Sequence, residues 1–331
     1  MNKIILCCAL LFLQLQLISG AKAADENVSA MQTCLDMQNK ESVENELNCY
    51  RKVAKEPLPA RGLAQEWAPT NNPLNQYKQT YVLLYSLASQ PNNAPTSPNP
   101  LNQALTPTQL DNRDLKFQIS FKHDLVDFTE NSSLWFGYTQ LSFWQVYDQA
   151  NSRPFRESNY EPEFIYSYRP DNWQPIFGLT ASVFNAGVVH QSNGQSNPRS
   201  RSWNRVYVQS GLEHDFEHDR KISVLLRYWQ RLNENLADDD NPDITNYLGS
   251  GDIEVRYMMD RQWEISALGR IRSIQIDLAA PWTVWHWLSS LAPGKHSTNI
   301  HVQYFNGYGE SLIDYNQSHT TWGVGLSFPF E

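Results

Sequence analysis

The sequence predicts an all-β protein, a transmembrane antiparallel β-barrel of about twelve strands preceded by a short N-terminal periplasmic helical extension. Three observations carry this. After the first 23 residues no apolar run approaches the roughly 18 residues a membrane helix needs, so a chain that enters a bilayer must do so as strands closed on themselves. Several later segments alternate with a period of two, apolar on one side and charged or small on the other. The chain also finishes on an aromatic strand in which Trp322, Val324, Leu326, Phe328 and Phe330 share a face opposite Gly323, Gly325 and Ser327, with Glu331 following.

Taken in order, residues 1–23 carry Lys3, a mostly apolar run from Ile4 to Ile18 broken by Gln14 and Gln16, and small residues at positions 21 and 23. That pattern predicts a secretory signal peptide cut before Ala24. Residues 24–75 form the extension, with short polar helical segments around Cys34 and Cys49. These two are the cysteines left after the signal peptide, and in an oxidising compartment they predict one disulfide, worth ~3 kcal/mol where geometry permits. From Trp67 to Thr108 the chain is rich in Pro, Asn and Gln, with one apolar island, Thr80 to Ala88, that predicts a first strand.

Residues 76–331 are the barrel domain. Strands are expected to begin near Thr80, Leu115, Leu134, Glu161, Ile176, Arg201, Arg220, Tyr247, Gln262, Gln275, Asn299 and Thr321, an even number as antiparallel closure requires. Ile253, Val255 and Tyr257 oppose Asp252, Glu254 and Arg256. Ile222, Val224, Leu226 and Tyr228 oppose Ser223, Arg227 and Arg231, and Trp263, Ile265, Ala267 and Ile271 oppose Glu264, Ser266, Arg270 and Arg272. Charges of both signs recur at one parity on successive strands, which suits a polar network inside a barrel. Eleven tryptophans and sixteen tyrosines suit aromatic girdles at the two interfaces, although they could also fill a core.

Charge narrows the function classes. Loss of the signal peptide removes Lys3 and Lys22 and no acid, moving the formal charge from −9 to −11, which argues against nucleic acid as a partner. His286, His296, His301 and His319 lack carboxylate or cysteine partners at ligand spacing, so they are not expected to hold metal. Asp238 to Asp240 and the acids from Glu213 to Asp219 read as solvated loop charges.

The stretch with chemical content is Phe184 to Tyr207, FNAGVVHQSNGQSNPRSRSWNRVY. If Phe184 to Ser192 is a strand, then Phe184, Ala186, Val188, His190 and Ser192 share its outward, apolar face. Polar groups on a lipid-facing surface are costly and point to a function. Asn193 to Arg201, with Gly194 and Pro198, form a turn, and the returning strand can set Asn204 beside His190 by parity. The trio then supplies a nucleophile in Ser192, a base in His190 and an amide to orient the base in Asn204. A neutral amide suits a lipid face, where an unpaired carboxylate would be expensive, although it stabilises an imidazolium less well.

The pattern HxSNGxSxPxSRSWNR, from His190 to Arg205, resembles the active-site signature of the outer-membrane phospholipase A family. SRPFRESNYEPE (152–163), NPDITNYLG (241–249) and YFNGYGESLIDYN (304–316) resemble that family too, and the likeness covers roughly residues 70–330. It implies hydrolysis of acyl esters in phospholipids and lysophospholipids, of A1 and A2 type, at the bacterial outer membrane by a homodimer. The resemblance places the nucleophile on Ser192, the base on His190, the orienting amide on Asn204 and an oxyanion N–H on Gly194. It implies a calcium ion held by the main-chain carbonyl of Gln195, the hydroxyl of Ser200 and, across a dimer interface, the hydroxyl of Ser152. Hard oxygen donors fit calcium. It also implies that Gln140, in YTQLSFW (138–144), lies at that interface. Two other classes remain open on sequence alone: a passive barrel that keeps the fold without the chemistry, and a soluble carbohydrate-binding β-sandwich.

Overall fold

The computed structural model describes residues 61–328 except 71, 172, 174, 176, 218–219, 236–237, 260–262 and 282–297. The predicted signal peptide, Cys34 and Cys49, His286 and His296 lie outside the described residues.

Twelve strands of the described residues form the barrel: β1 (Tyr81–Ala88), β2 (Arg113–Thr129), β3 (Ser132–Trp144), β4 (Phe155–Tyr168), β5 (Thr180–Ser192) and β6 (Ser202–Asp215), then β7 (Lys221–Leu232), β8 (Gly251–Met258), β9 (Glu264–Arg270), β10 (Ser273–Pro281), β11 (Asn299–Gly307) and β12 (His319–Ser327). Each pairs antiparallel with the next, and β12 pairs with β1, so the sheet closes with no free edge. Closure excludes the two-sheet sandwich. A two-residue strand, Asn75–Gln76, adds to β2 at Phe121 and Lys122.

The alternation read from sequence is the inside and outside of this barrel. Ile253, Val324 and Trp322 are exposed outward, whereas Asp252, Arg227 and Ser266 point into a packed interior. That interior is charge-paired: Arg227 meets Asp252 at 2.6 Å, Lys116 meets Glu310 at 2.7 Å, and Glu161 lies between Lys78 at 3.1 Å and Arg205 at 3.6 Å. Buried ions without such partners would cost several kcal/mol each.

Of the two uses the sequence leaves open for tryptophan, core filling is realised by Trp67, Trp135, Trp203 and Trp229, which are buried in the lumen with Leu63, Ile165, Val183 and Tyr207. Other expectations change. Part of the expected extension, residues 62–67, packs into the barrel, with Leu63 and Trp67 buried. The helix α1 (Leu63–Glu66) donates Leu63 N–H to Glu213 at 2.8 Å, Glu66 pairs with Arg256 at 3.1 Å, and the Lys122 ammonium sits 3.8 Å from the Trp67 ring centre. Glu213 is therefore a buried anchor and not a solvated acid.

Strand bounds shift as well. β4 begins at Phe155, six residues before the expected Glu161, because the irregular loop before it ends at Pro154 and the outer face tolerates Pro162 within the strand. Tyr247 lies in a second short helix, α2 (Thr245–Leu248), and Ile271 and Arg272 form the β9–β10 turn.

Candidate active site

Strands β5 and β6 pair in register so that His190 stands level with Asn204 and Ser192 with Ser202. The inward residues between them hold the two strands together: Gln191 Oε1 accepts from Trp203 Nε1 at 2.8 Å and from Arg205 Nη2 at 3.1 Å. With those positions locked inside, the pleat presents His190, Ser192 and Asn204 outward. His190 is exposed, and Ser192 and Asn204 are half-buried.

His190 Nδ1 lies 2.8 Å from Asn204 Oδ1, the distance of a good hydrogen bond. An amide oxygen can only accept, so Nδ1 carries the proton and Nε2 is left as the basic nitrogen. Ser192 is two residues along the same face. Among the described residues it makes no hydrogen bond to His190, and such contacts commonly tighten only when substrate binds. The Asn204 amide nitrogen donates in turn to Glu234 at 2.9 Å.

Beyond Ser192 the chain enters the 193–201 loop, which hangs on Asn193. Its side chain accepts from Arg201 N–H at 3.0 Å and donates to Arg199 C=O at 2.8 Å and to Glu157 at 3.2 Å. Glu157 is held by Ile313 N–H at 2.9 Å, so the 308–318 loop braces the site from within. That loop is fixed at Glu310, which also meets His319 at 2.6 Å. Burial alone would raise the Glu310 pKa, but Lys116 and His319 outweigh it and hold the carboxyl well below the usual range.

Gly194 has φ +62°, and a Cβ there would come within 3.2 Å of the Tyr160 ring. Its N–H has no hydrogen-bond partner among the described residues and the residue is exposed, which leaves the donor available to an oxyanion. The Gln195 carbonyl is likewise unengaged among the described residues. Ser200 Oγ donates to Asp240 at 2.6 Å, which leaves its lone pairs open toward a cation. Ser152 sits in the exposed β3–β4 loop at φ 62°. Among the described residues no three His, Cys, Asp or Glu side chains gather into a metal site. The calcium donors implied by sequence are hydroxyls and a main-chain carbonyl, and Ser200 and Gln195 fit that donor chemistry.

Gln140 lies outward on β3, half-buried, donating to Ser142 at 3.0 Å and accepting from the Tyr138 hydroxyl at 3.2 Å. Registers align Ile119, Gln140, Tyr160, Ser192 and Ser202 in one row across five strands, so Gln140 is two strands, about 10 Å, from Ser192.

Comparison with known proteins agrees with this geometry. The family model described as Phospholipase A1 matches residues 63–328. The chain belongs to the phospholipase A1 family. A putative phospholipase A1 of Neisseria meningitidis serogroup B is 36% identical over 262 residues, 77% of this chain, although the match spans only 65% of that relative's length. Phospholipase A1 of Escherichia coli K12 is 34% identical over 221 residues, 64% of this chain and 68% of the relative. Among solved structures, outer membrane phospholipase A from E. coli superposes with TM-score 0.62 at 29% identity, covering 77% of this chain and 94% of that one. A Salmonella typhi outer membrane phospholipase dimer with bound calcium gives 0.66 at 30% identity, covering 81% and 97%. This phospholipase A1 family member is thus an outer-membrane β-barrel.

The structure brings His190 and Asn204 into contact, with Ser192 two residues along the same face, and it adds supports that the sequence did not signal. Asp239 and Asp240, read as solvated, are engaged: Asp239 pairs with Arg231 at 2.6 Å, and Asp240 accepts from Ser200 and from Asn102, the latter at 3.0 Å. Glu234 carried no sequence signal, because its partner lies 30 positions earlier. His301 and His319 do have carboxylate partners, Asp277 at 2.9 Å and Glu310, but these are pairs of the barrel interior.

Proposed function

We propose that this chain is a calcium-dependent outer-membrane phospholipase, active as a homodimer, that hydrolyses acyl esters of phospholipids and lysophospholipids at both A1 and A2 positions. The single observation that carries the reading is the 2.8 Å contact between His190 Nδ1 and Asn204 Oδ1, next to Ser192 on a face turned to lipid. Polar side chains in that position would be a burden to a passive barrel.

The chemistry follows from the tautomer. Asn204 holds the proton on Nδ1, so Nε2 can take the Ser192 proton as Oγ attacks the ester carbonyl and then return it to the departing oxygen of the glycerol. The Gly194 N–H donates to the oxygen that gains charge. Water repeats the sequence against the acyl-Ser192 ester. Calcium, held by the Gln195 carbonyl, Ser200 and the partner subunit's Ser152, would supply electrophilic polarisation of the substrate carbonyl. The structural relative with bound calcium is a dimer, which supports pairing of this chain as well; the outward face that bears Gln140 is the surface assigned to it here.

The deciding measurement is release of fatty acid from phospholipid in detergent micelles, with calcium and then with chelator, for the wild type and for Ser192→Ala. Release that needs calcium and vanishes in Ser192→Ala is the expected result. Near-normal turnover by Ser192→Ala would remove the assignment.

A further inference from the structure

Asn204 leaves one chemical question open. An amide can hold an imidazole in place, but it carries no charge to stabilise the imidazolium formed when His190 takes a proton, and either end of it can face the ring. The structure resolves both points at Glu234. This residue lies two positions beyond the end of β7, on the same outward parity as Tyr228 and Leu232, and Leu232 is the β7 residue level with Asn204. Asn204 Nδ2 donates to Glu234 Oε1 at 2.9 Å while Asn204 Oδ1 meets His190 Nδ1 at 2.8 Å.

We propose that Glu234 is a positioning residue of the catalytic set, a carboxylate that fixes the orientation of the Asn204 amide and passes its negative charge through that amide to His190. The inference rests on the function proposed above. Three physical points support it. An ionised carboxylate only accepts, so the NH₂ end of Asn204 must face Glu234 and the oxygen must face His190. That determines the His190 tautomer from outside the trio. A donor bonded to an anion is polarised, so Asn204 Oδ1 becomes a stronger acceptor toward His190 Nδ1–H.

The carboxylate is also free for this role. Among the described residues Asn204 is its only hydrogen-bond partner and no cation pairs with it. Asp240 also reaches this face, 3.4 Å from Ser202 Oγ, but its carboxylate is engaged by Ser200 at 2.6 Å and by Asn102 at 3.0 Å. The register that pairs Tyr160 with Ser192 and Glu163 with Val189 puts Pro162 level with His190 on the β4 side, and Tyr160 is the one titratable outward neighbour there. Glu161, Glu163, Arg205 and Arg231, on the adjoining positions, point into the barrel. The arrangement also places the charge sensibly: the formal anion sits past the strand end at the rim, and only a neutral amide occupies the strand itself.

The test compares Glu234→Gln, Glu234→Ala and Glu234→Asp with wild type in the micellar assay across pH. With the anion that favours the imidazolium gone, the acidic limb of kcat against pH should move to lower pH in the Gln and Ala variants, by about half a unit. The plateau should fall roughly 5- to 30-fold, the scale of one charge-assisted hydrogen bond. Glu234→Asp, which keeps the charge, should keep the limb near its wild-type position and recover part of the rate. Gel mobility before and after heating reports that each barrel is folded.

An unmoved limb in both Gln and Ala variants, whether or not the rate falls, overturns the inference, since a merely structural residue would behave so. Hydrolysis that persists in Ser192→Ala would instead overturn the catalytic assignment, and this inference with it. A process dependent on Ser192 and His190 yet indifferent to Glu234 would overturn only the positioning role.

Discussion

His190 and Asn204 are expected to differ in what their loss removes. His190→Ala deletes proton transfer, worth ~10²- to 10⁴-fold in rate. Asn204→Ala leaves the base in place but releases its ring and its tautomer, so kcat should fall less than in His190→Ala. Equal and negligible losses in the two variants, measured as fatty-acid release from the same micelles, would contradict the assigned roles. That these residues could be placed from sequence has a simple cause. Within one strand the pleat fixes parity, so His190 and Ser192 share a face whatever the rest of the chain does, and one short turn returns Asn204 to their level. Glu234, Asp240 and Glu157 were not legible because they reach the site from other strands and loops, and nothing local reports which residues closure will bring level.

At the scale of the element, the 193–201 loop works as a rigid bracket and not as a flexible tip. Asn193 is buried and ties both its ends, so Asn193→Ala should reduce turnover at least tenfold, by loosening Gly194 and Ser200 together, while the barrel stays closed on unheated gels; the tenfold figure is the ~1–3 kcal/mol lost with a buried hydrogen-bonding group. Gly194→Ala meets both a positive φ, costing ~1–2 kcal/mol, and the Tyr160 ring.

The brace behind that bracket should fail in acid. Because the Glu310 pKa is depressed on folding, its contribution is complete above the ordinary value of 4.5 and drains away as pH falls through the lower folded value. Protease cleavage within 308–318 should therefore rise below about pH 4 in wild type. Glu310→Gln should show the looseness at neutral pH already and change little on acidification. A flat wild-type profile down to pH 2 would remove this account.

Over the whole molecule, the alternating strands announced the barrel, and closure alone decided what its inside would hold. Composition could not distinguish interfacial tryptophan from luminal tryptophan: Trp322 faces out and Trp135 faces in because of their parity relative to a closed sheet. Nor could it show that residues 62–67 enter that interior, since the partners of Leu63 and Glu66 are far along the chain, at Glu213 and Arg256. Assembly adds a prediction at this scale. If Ser200 of one subunit and the partner subunit's Ser152 share calcium, the ion binds the dimer more tightly than the monomer, and adding it must shift the equilibrium toward dimer. Mixing Ser192→Ala subunits with Ser152→Ala subunits, each inactive alone, should restore activity at the level random pairing allows. Crosslinked mixed dimers that stay silent with calcium would exclude a shared site.

The row that carries Gln140, Tyr160 and Ser192 across the outer wall has one more consequence. If that set is catalytic, as proposed, it stands on the outer wall of the barrel, so a lipid reaches it by moving sideways within the leaflet, in two dimensions. The quantity that governs encounter is then the mole fraction of lipid in the surface and not its molarity in the flask. Diluting the membrane with inert amphiphile would starve the enzyme even while the total substrate in solution stayed constant.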